Sequence, residues 1–170
     1  MKQRMDITLH VDGEARSLSV DPRTTVLDAL REQLGVTSPK KACDQGQCGA
    51  CTCIVDGRRQ TTCLSLAVAC DGATITTAAG LAPAGELHPL AQAFVDHDAF
   101  QCGYCTPGQI CSAAGMLDEA SAGAPSHVTA DLTATEVVLD AGEIRERMSG
   151  NLCRCGAYVN IVAAIGSVAP

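Results

Sequence analysis

Four cysteines in the N-terminal half of the chain have a spacing that could hold a metal cluster. Three of them crowd into nine residues as C-x4-C-x2-C, and a fourth follows twelve positions later: Cys43, Cys48, Cys51 and Cys63. Thiolates at this spacing are typical of a 2Fe–2S cluster, for which one loop supplies three ligands and a later segment supplies the fourth. The pattern therefore predicts an iron–sulfur centre, whose chemistry is the transfer of single electrons.

Two glycines between these cysteines agree with that interpretation. Gly46 and Gly49 allow backbone N–H groups to approach inorganic sulfide, and they tolerate positive φ angles. A zinc site and a disulfide loop are the alternatives. Zinc sites more often use cysteine pairs separated by a longer spacer, so the crowding of three cysteines favours the iron–sulfur cluster.

Four more cysteines form two short pairs in the C-terminal half of the chain. Cys102 and Cys105 are a C-x2-C pair, and Cys153 and Cys155 are a C-x-C pair about fifty residues later. Such pairs suit either a zinc ion or a second 2Fe–2S cluster. The spacing alone leaves both possibilities open.

The composition argues for a metal-binding protein of a reducing compartment. The chain has 170 residues and 11 cysteines, but only two Phe, two Tyr and no Trp for its core. Its net charge of −7 and the lack of a basic stripe argue against nucleic-acid binding. We see no export signal at the N-terminus and no apolar run long enough to span a bilayer, which predicts a cytoplasmic protein.

The pattern of apolar residues predicts an N-terminal β-grasp ferredoxin domain over residues 1–82. The Asp12-Gly13 pair indicates a hairpin turn, and a capping-box pattern at Thr25 begins a helix that Gly35 ends. Alternation and β-branched residues predict strands over residues 6–11, 15–20, 52–55, 60–63 and 74–77. The fourth strand would deliver Cys63 to the cysteine loop.

A linker rich in glycine, proline and alanine predicts that a helical domain follows over residues 83–170. Helices are predicted over residues 88–98, 106–119, 140–150 and 158–167. In the first of them we expect His97 on the inner side, and we expect Thr106 to cap the second. Each cysteine pair lies just before a helix, whose free N–H groups suit an anionic thiolate–sulfide cluster. The fold class is therefore α+β, with a four-helix second domain.

Three motifs resemble the iron–sulfur subunit of the xanthine oxidase family of molybdenum hydroxylases. They are CDQGQCGAC at residues 43–51, FQCGYCTPG at 100–108 and GNLCRCG at 150–156. The segments at 98–111 and 143–150 are more closely similar to small subunits of three-subunit bacterial aldehyde oxidoreductases of the periplasmic type. Exported members of that group carry a twin-arginine signal on this subunit, and we see none here.

The resemblance implies two 2Fe–2S clusters and two partner chains. It assigns the ligands of the flavin-facing cluster to Cys43, Cys48, Cys51 and Cys63, and those of the molybdopterin-facing cluster to Cys102, Cys105, Cys153 and Cys155. It matches Gln101, Gly103 and Tyr104 to positions that contact molybdopterin. A large subunit would carry molybdopterin, in its cytosine dinucleotide form, and a medium subunit would carry FAD.

The implied function is electron transfer rather than catalysis on this chain. Electrons would pass one at a time from the molybdenum site through both clusters to FAD, and this chain would hold no active site of its own. The local similarity points to an aldehyde substrate. Purines, N-heterocycles and carbon monoxide are alternatives, because similar small subunits serve their oxidation. A free-standing two-cluster ferredoxin and a zinc-binding scaffold are the other hypotheses.

Several remaining residues are expected to be structural. Cys53, Cys70 and Cys111 are left over once eight ligands are assigned, and free cysteine often acts as a small buried hydrophobe. Arg154 lies between two ligands, where its charge would favour a reduced cluster or pair with a carboxylate or a partner chain. The charged run at residues 143–147 is expected to be a solvated helix face.

Overall fold

The computed structural model describes residues 4–133 and 136–169 of the chain. Its strands are β1 Met5–Val11, β2 Glu14–Val20, β3 Thr52–Val55, β4 Arg58–Thr61 and β5 Thr74–Thr76. Its helices are α1 Val26–Asp28, which continues as a π turn over Ala29–Gln33, then α2 Pro89–Asp96, α3 Thr106–Ser121, α4 Ala141–Arg147 and α5 Tyr158–Val168, with a 3-10 turn at Ala67–Cys70. Strands thus precede most helices, in the predicted α+β order.

The strands form one mixed sheet in the order β2-β1-β5-β3-β4. Only the β1–β5 pair is parallel among the described strands. Asp12 and Gly13 have φ angles of 49° and 86°, which is the geometry of the tight hairpin turn predicted between β1 and β2. Ile7, Leu9 and Val11 of β1 are buried on the face that packs against Leu30 and its neighbours.

The first helix is short because it changes its hydrogen-bonding pattern after one turn. Thr25 caps it as predicted, since its Oγ1 accepts a hydrogen bond of 3.1 Å from the N–H of Asp28. The N–H of Leu34 then donates to the carbonyl of Ala29, a π-type bond of 3.0 Å. Gly35 follows with φ +69°, a conformation that glycine adopts without penalty, and the helix ends there.

The bounds predicted for the fourth strand, residues 60–63, are wrong, because β4 ends at Thr61. The chain turns there, and the N–H of Leu64 donates to the carbonyl of Thr61 at 3.1 Å. Thr62 bends back so that its Oγ1 donates to the carbonyl of Cys51 at 2.8 Å. Cys63 therefore reaches the cysteine loop from a turn and not from a strand.

The helices pack around a second core that includes Phe94, Met116, Ile144, Ile161 and Ile165. The longest, α3, has 16 residues, and no helix of the described ranges has the length and apolar character needed to cross a bilayer.

The inward position predicted for His97 is wrong. The first predicted helix ends at Asp96, so His97 follows it as an exposed cap. At the other end, Nδ1 of His88 accepts a hydrogen bond from the N–H of Leu90 at 3.2 Å, so this histidine is the N-cap. Leu90 and Phe94 do face the core as predicted.

Glu143 and Arg147 of the charged run on α4 are buried, so the prediction of a solvated face is wrong for these two residues, whereas Arg145 is exposed. Glu143 and Arg147 are 6% and 7% exposed, and Nε of Arg147 lies 3.0 Å from Oε2 of Glu143. Arg147 also donates through Nη2 to the carbonyl of Ala124 at 2.6 Å. The segment before α4 covers this ion pair, and Asp140 caps the helix through bonds to the N–H groups of Gly142 and Glu143.

Helix α3 joins the helical part of the chain to the sheet by packing on β3 and β4. Arg59 of β4 makes a two-pronged ion pair with Glu119, with N–O distances of 2.9 and 2.8 Å. Its Nη1 also donates to Ser112 and to the carbonyl of Arg147. Such a paired guanidinium fixes orientation as well as distance, so it holds α3 and α4 against the sheet.

Candidate iron–sulfur centres

The first cysteine group meets between the loop before β3 and the turn after β4. Cys51 and Cys63 are buried, whereas Cys43 and Cys48 are half-buried. The thiols meet in two pairs, because Cys43 contacts Cys48 and Cys51 contacts Cys63. All four cysteines that the sequence predicts for this centre are therefore brought together.

Backbone N–H groups of the loop point at the sulfur of Cys43. The N–H of Gln45 lowers the pKa of the Cys43 thiol to about 7, and the N–H of Gln47 donates to its Sγ at 3.3 Å. Burial has the opposite effect on Cys63 and raises the pKa of its thiol to about 11. Hydrogen bonds to sulfur favour the thiolate form that binds metal, so the loop is built to hold anionic sulfur.

The structure gives a reason for glycine at position 49 that the sequence did not indicate. Its φ is +68°, and a Cβ placed on it would lie 2.6 Å from Nδ2 of Asn151 and 2.6 Å from the carbonyl oxygen of Gly150. The cysteine loop thus touches the segment that carries the last cysteine pair. Gly108 of α3 is equally close, since its Cβ would lie 2.4 Å from the carbonyl oxygen of Gly49.

We expect Gly49→Ala to lower the free energy of unfolding by about 2–5 kcal/mol. Roughly 1–2 kcal/mol comes from the left-handed backbone and about 1–3 kcal/mol from overpacking. Gly57→Ala is the matched control, because Gly57 has φ +78° but no atom of the described residues lies within 4 Å of its Cβ position. Urea denaturation followed by circular dichroism measures both variants, and equal losses would contradict the close contact.

The second cysteine group lies where two helices begin. Cys153 is buried, Cys105 is half-buried, and Cys102 and Cys155 are exposed. Their thiols also meet in two pairs, Cys102 with Cys155 and Cys105 with Cys153. Burial raises the pKa of the Cys105 thiol to about 12, whereas the N–H of Tyr104 lowers the pKa of Cys102.

Both helix starts face this group, as predicted, but the caps differ from the prediction. Cys105 itself is the N-cap of α3 and Thr106 is the first helical residue, so Thr106 does not cap the helix. At the start of α5, the N–H of Ala157 donates to Sγ of Cys153 at 3.4 Å. The hydroxyl of Tyr158 accepts from the backbone N–H of Cys153 at 2.8 Å and fixes the same segment.

A cavity of about 630 Å³ lies at the second group and reaches one cysteine of the first. Cys48 lines it from the first group, and Cys102, Cys105 and Cys153 line it from the second. A backbone hydrogen bond of 2.9 Å crosses beside it, from the N–H of Leu152 to the carbonyl of Cys48. The two cysteine groups therefore lie next to each other in the fold.

The pairwise arrangement indicates which metal group the cysteines fit. In residues 4–133 and 136–169, no three His, Cys, Asp or Glu side chains surround a single metal-ion position. A 2Fe–2S cluster has two irons that take two thiolates each, whereas tetrahedral zinc needs four ligands around one point. Two contacting pairs in each group fit the two-iron arrangement.

Comparison with known proteins identifies the family. The family described as "2Fe-2S iron-sulfur cluster binding domain" matches residues 9–76, and the one described as "2Fe-2S binding domain" matches residues 77–166. The chain is also 58% identical to the aldehyde oxidoreductase iron-sulfur-binding subunit PaoA of Escherichia coli K12, over 97% of this chain and 72% of that protein. The chain belongs to the iron–sulfur subunit family of molybdenum hydroxylases.

Further relatives of this iron–sulfur subunit agree with the assignment. It is 43% identical to the nicotinate dehydrogenase small FeS subunit of Eubacterium barkeri, over 95% of this chain and 93% of that protein. The crystal structure of quinoline 2-oxidoreductase from Pseudomonas putida 86 superposes with a TM-score of 0.84 at 39% identity, over 98% of this chain and 93% of that chain. The predicted family, fold class and electron-transfer role are confirmed.

The residues predicted to contact molybdopterin lie beside the second cysteine group of the subunit. Gln101 is exposed, and Gly103 has φ +74° in the turn between Cys102 and Cys105. Tyr104 has its ring half-exposed, while its hydroxyl donates to the carbonyl of Lys41 at 2.7 Å. Their contact with a partner's cofactor stays a prediction.

The remaining three cysteines of the subunit are not members of the four contacting pairs. Cys53 on β3 is 0% exposed and Cys111 on α3 is 1% exposed, so both are core residues as expected. Burial raises the pKa of Cys111 to about 12 and that of Cys53 well above its usual value. Cys70 ends the 3-10 turn and is half-buried.

Proposed function

We propose that this subunit holds two 2Fe–2S clusters and passes electrons between a molybdopterin subunit and a FAD subunit. The observation that carries the proposal is the contact of the eight cysteines in four pairs within one chain. The ligands would be Cys43, Cys48, Cys51 and Cys63 for one cluster, and Cys102, Cys105, Cys153 and Cys155 for the other. When bound, each cluster accepts and releases one electron at a time.

The chain's own residues would hold and tune these groups. Backbone N–H groups of Gln47 and Ala157 donate to ligand sulfurs, and such bonds stabilise added negative charge. Burial of Cys51, Cys63 and Cys153 excludes water from the inner side of each group. No proton has to move on this chain, because electron transfer needs only positioned donors and acceptors.

The second cysteine group is the one that we assign to the molybdopterin side. Its outer cysteines, Cys102 and Cys155, are exposed, and apolar side chains around them are also open to a partner: Phe100 is 41% exposed and Tyr158 is 45% exposed. Gln101 would bind the pterin through its exposed side-chain amide, and Tyr104 would contribute its ring, because its hydroxyl is already bonded within the chain.

The partners would be a large subunit with molybdopterin cytosine dinucleotide and a medium subunit with FAD, in a heterotrimer that oxidises aldehydes. The aldehyde assignment rests on the 58% identity to an aldehyde oxidoreductase subunit. N-heterocycles are the second candidate class, because relatives named for nicotinate and quinoline are 43% and 39% identical. The cytoplasmic location stays a prediction from the sequence.

Purification of the tagged subunit from its native host tests this proposal. We expect two larger chains to co-purify, with molybdenum, FAD and two distinct 2Fe–2S signals in electron paramagnetic resonance (EPR) spectra after dithionite. We expect the complex to oxidise aromatic and aliphatic aldehydes faster than nicotinate or quinoline. A stable, colourless monomer with stoichiometric zinc would overturn the proposal, and preference for the heterocycles would overturn the aldehyde assignment alone.

A further inference from the structure

A buried amide lies at the junction of the two cysteine groups. Asn151 is 6% exposed, and its Nδ2 donates to the carbonyl of Gly49 at 3.0 Å and to the carbonyl of Gly108 at 3.2 Å. An amide nitrogen has two hydrogens, so both are used. One side chain therefore joins the first cysteine loop, the start of α3 and the segment before Cys153.

Each of these three segments carries cysteines of a group. Gly49 lies between Cys48 and Cys51, Gly108 lies three residues after Cys105, and Asn151 lies two residues before Cys153. The sites of both clusters thus depend on the same amide. The absence of side chains at Gly49 and Gly108 is what allows the approach, since a Cβ on Gly49 would lie 2.6 Å from Nδ2 of Asn151.

The backbone beside this amide adds two further links. The carbonyl of Asn151 accepts a hydrogen bond of 2.9 Å from Nε2 of Gln109, which is 1% exposed. The next N–H, that of Leu152, donates to the carbonyl of Cys48. This last bond joins a residue of the first group directly to the neighbour of Cys153, so it is a short route between the two groups.

We propose that Asn151 is a positioning residue that fixes the separation of the two clusters and thereby the rate of electron transfer between them. The inference rests on the proposed function, because it requires both cysteine groups to hold clusters. The step moves one electron: the centre at Cys153 is oxidised and the centre at Cys48 is reduced, with no bond made or broken.

The chemistry of the position restricts it to a donor of this size. Alanine would remove the one side chain that donates to the carbonyls of both Gly49 and Gly108, although Thr52 would still donate to the carbonyl of Gly49. It would thereby release the cysteine loop from α3. Aspartate has the same shape but no N–H, so its carboxylate would face two carbonyl oxygens. The Leu152–Cys48 bond would then lose the support of the neighbouring side-chain amide, while the bond from Gln109 to the backbone carbonyl remains.

The test uses the purified holoenzyme with Asn151→Ala in this subunit. The magnetic splitting between the two reduced clusters in EPR spectra reports their separation, because dipolar coupling falls steeply with distance. We expect this splitting to be lost while iron content and both single-cluster signals are kept. We expect FAD reduction by substrate to slow by about 10-fold or more, the lower end of what outer partners of metal sites contribute.

Asn160→Ala is the matched control, because Asn160 is an exposed amide with a bond to the carbonyl of Asp98. It should change neither the splitting nor the rate. If Asn151→Ala fails to retain iron, Asn151→Ser keeps one donor and should give the same changes at smaller size. Unchanged splitting and rate in an iron-loaded Asn151 variant overturn the inference, as does loss of iron in both variants. Absence of two signals in the unmodified enzyme would instead overturn the proposed function.

Discussion

Replacing Cys153 by serine is expected to remove one of the two 2Fe–2S signals and half of the iron. Cys153 is 6% exposed, contacts Cys105, and receives a backbone hydrogen bond on its sulfur from Ala157. A free serine hydroxyl does not ionise near neutral pH, so it is a much weaker ligand for iron than the thiolate. Activity of the complex should fall by about a hundredfold or more, since even outer partners of metal sites contribute about 10–100-fold.

The stability of the helical part should fall with the cluster, because ligand binding and folding are coupled in small metal domains. Cys70→Ser is the control, since Cys70 is a half-buried cysteine outside both groups. That variant should retain both signals and full activity. EPR spectra, iron analysis and steady-state rates measure the cluster signals, the iron content and the activity. A Cys153→Ser enzyme with two signals and full activity would refute the ligand assignment.

The parts of this fold that the sequence predicts well are the local ones. The Asp12-Gly13 turn and the Thr25 cap are decided by residues within a few positions of one another, and the structure contains both. The three-cysteine loop is predictable for the same reason, because its spacing alone restricts which metal group can bind. The cysteine pairing across the chain required the resemblance, since spacing left zinc and iron equally open.

The contacts between the two cysteine groups were beyond local patterns. Asn151 bonds to Gly49 across 102 positions, and nothing in the periodicity of either segment indicates that contact. The signal was present in the motif GNLCRCG, which places Asn151 two residues before the ligand Cys153, but the motif does not say what the amide bonds to. The sequence offered two reasons for glycine at position 49, a positive φ angle and the approach of backbone N–H groups to sulfide. Only the packing shows its close approach to Gly150.

The end of α2 illustrates a second limit of prediction from the sequence. His97 continues the apolar spacing of Leu90 and Phe94, so periodicity placed it inside. In the structure Asp98 has φ +49°, which turns the chain and leaves His97 at the surface. Helix ends depend on one or two backbone angles, which a periodic pattern does not register.

Arg147→Ala is expected to destabilise the protein by about 3–5 kcal/mol, the usual cost of breaking a buried ion pair by removing one partner. The substitution leaves Glu143 buried without its cation and leaves the carbonyl of Ala124 without its donor. The sequence alone made this pair look solvated, because the segment that covers it has no periodic pattern of its own. The midpoint of urea denaturation should fall by about 1–2 M.

Arg145→Ala on the same helix is the matched control, since Arg145 is exposed and its removal should change stability by less than about 0.5 kcal/mol. Equal effects of the two substitutions would show that burial of Arg147 is not what stabilises α4. Arg147→Lys is a useful intermediate, because lysine keeps the charge but not the planar fork that binds Glu143 and Ala124 together. It should recover part of the loss.

The stabilisation by this pair should also depend on pH. Burial opposes ionisation of Glu143, but hydrogen bonds from Thr129, Ser126 and Arg147 outweigh it and lower the pKa of that carboxyl. A carboxyl with a lowered native pKa stabilises the fold fully above its ordinary pKa, about 4.3, and loses this contribution as the pH falls through the native value. The difference between the native protein and Arg147→Ala should therefore be largest near neutral pH and shrink below about pH 4. A difference that stays constant down to pH 3 would mean that the ion pair is not its source, and that packing of the arginine stem is.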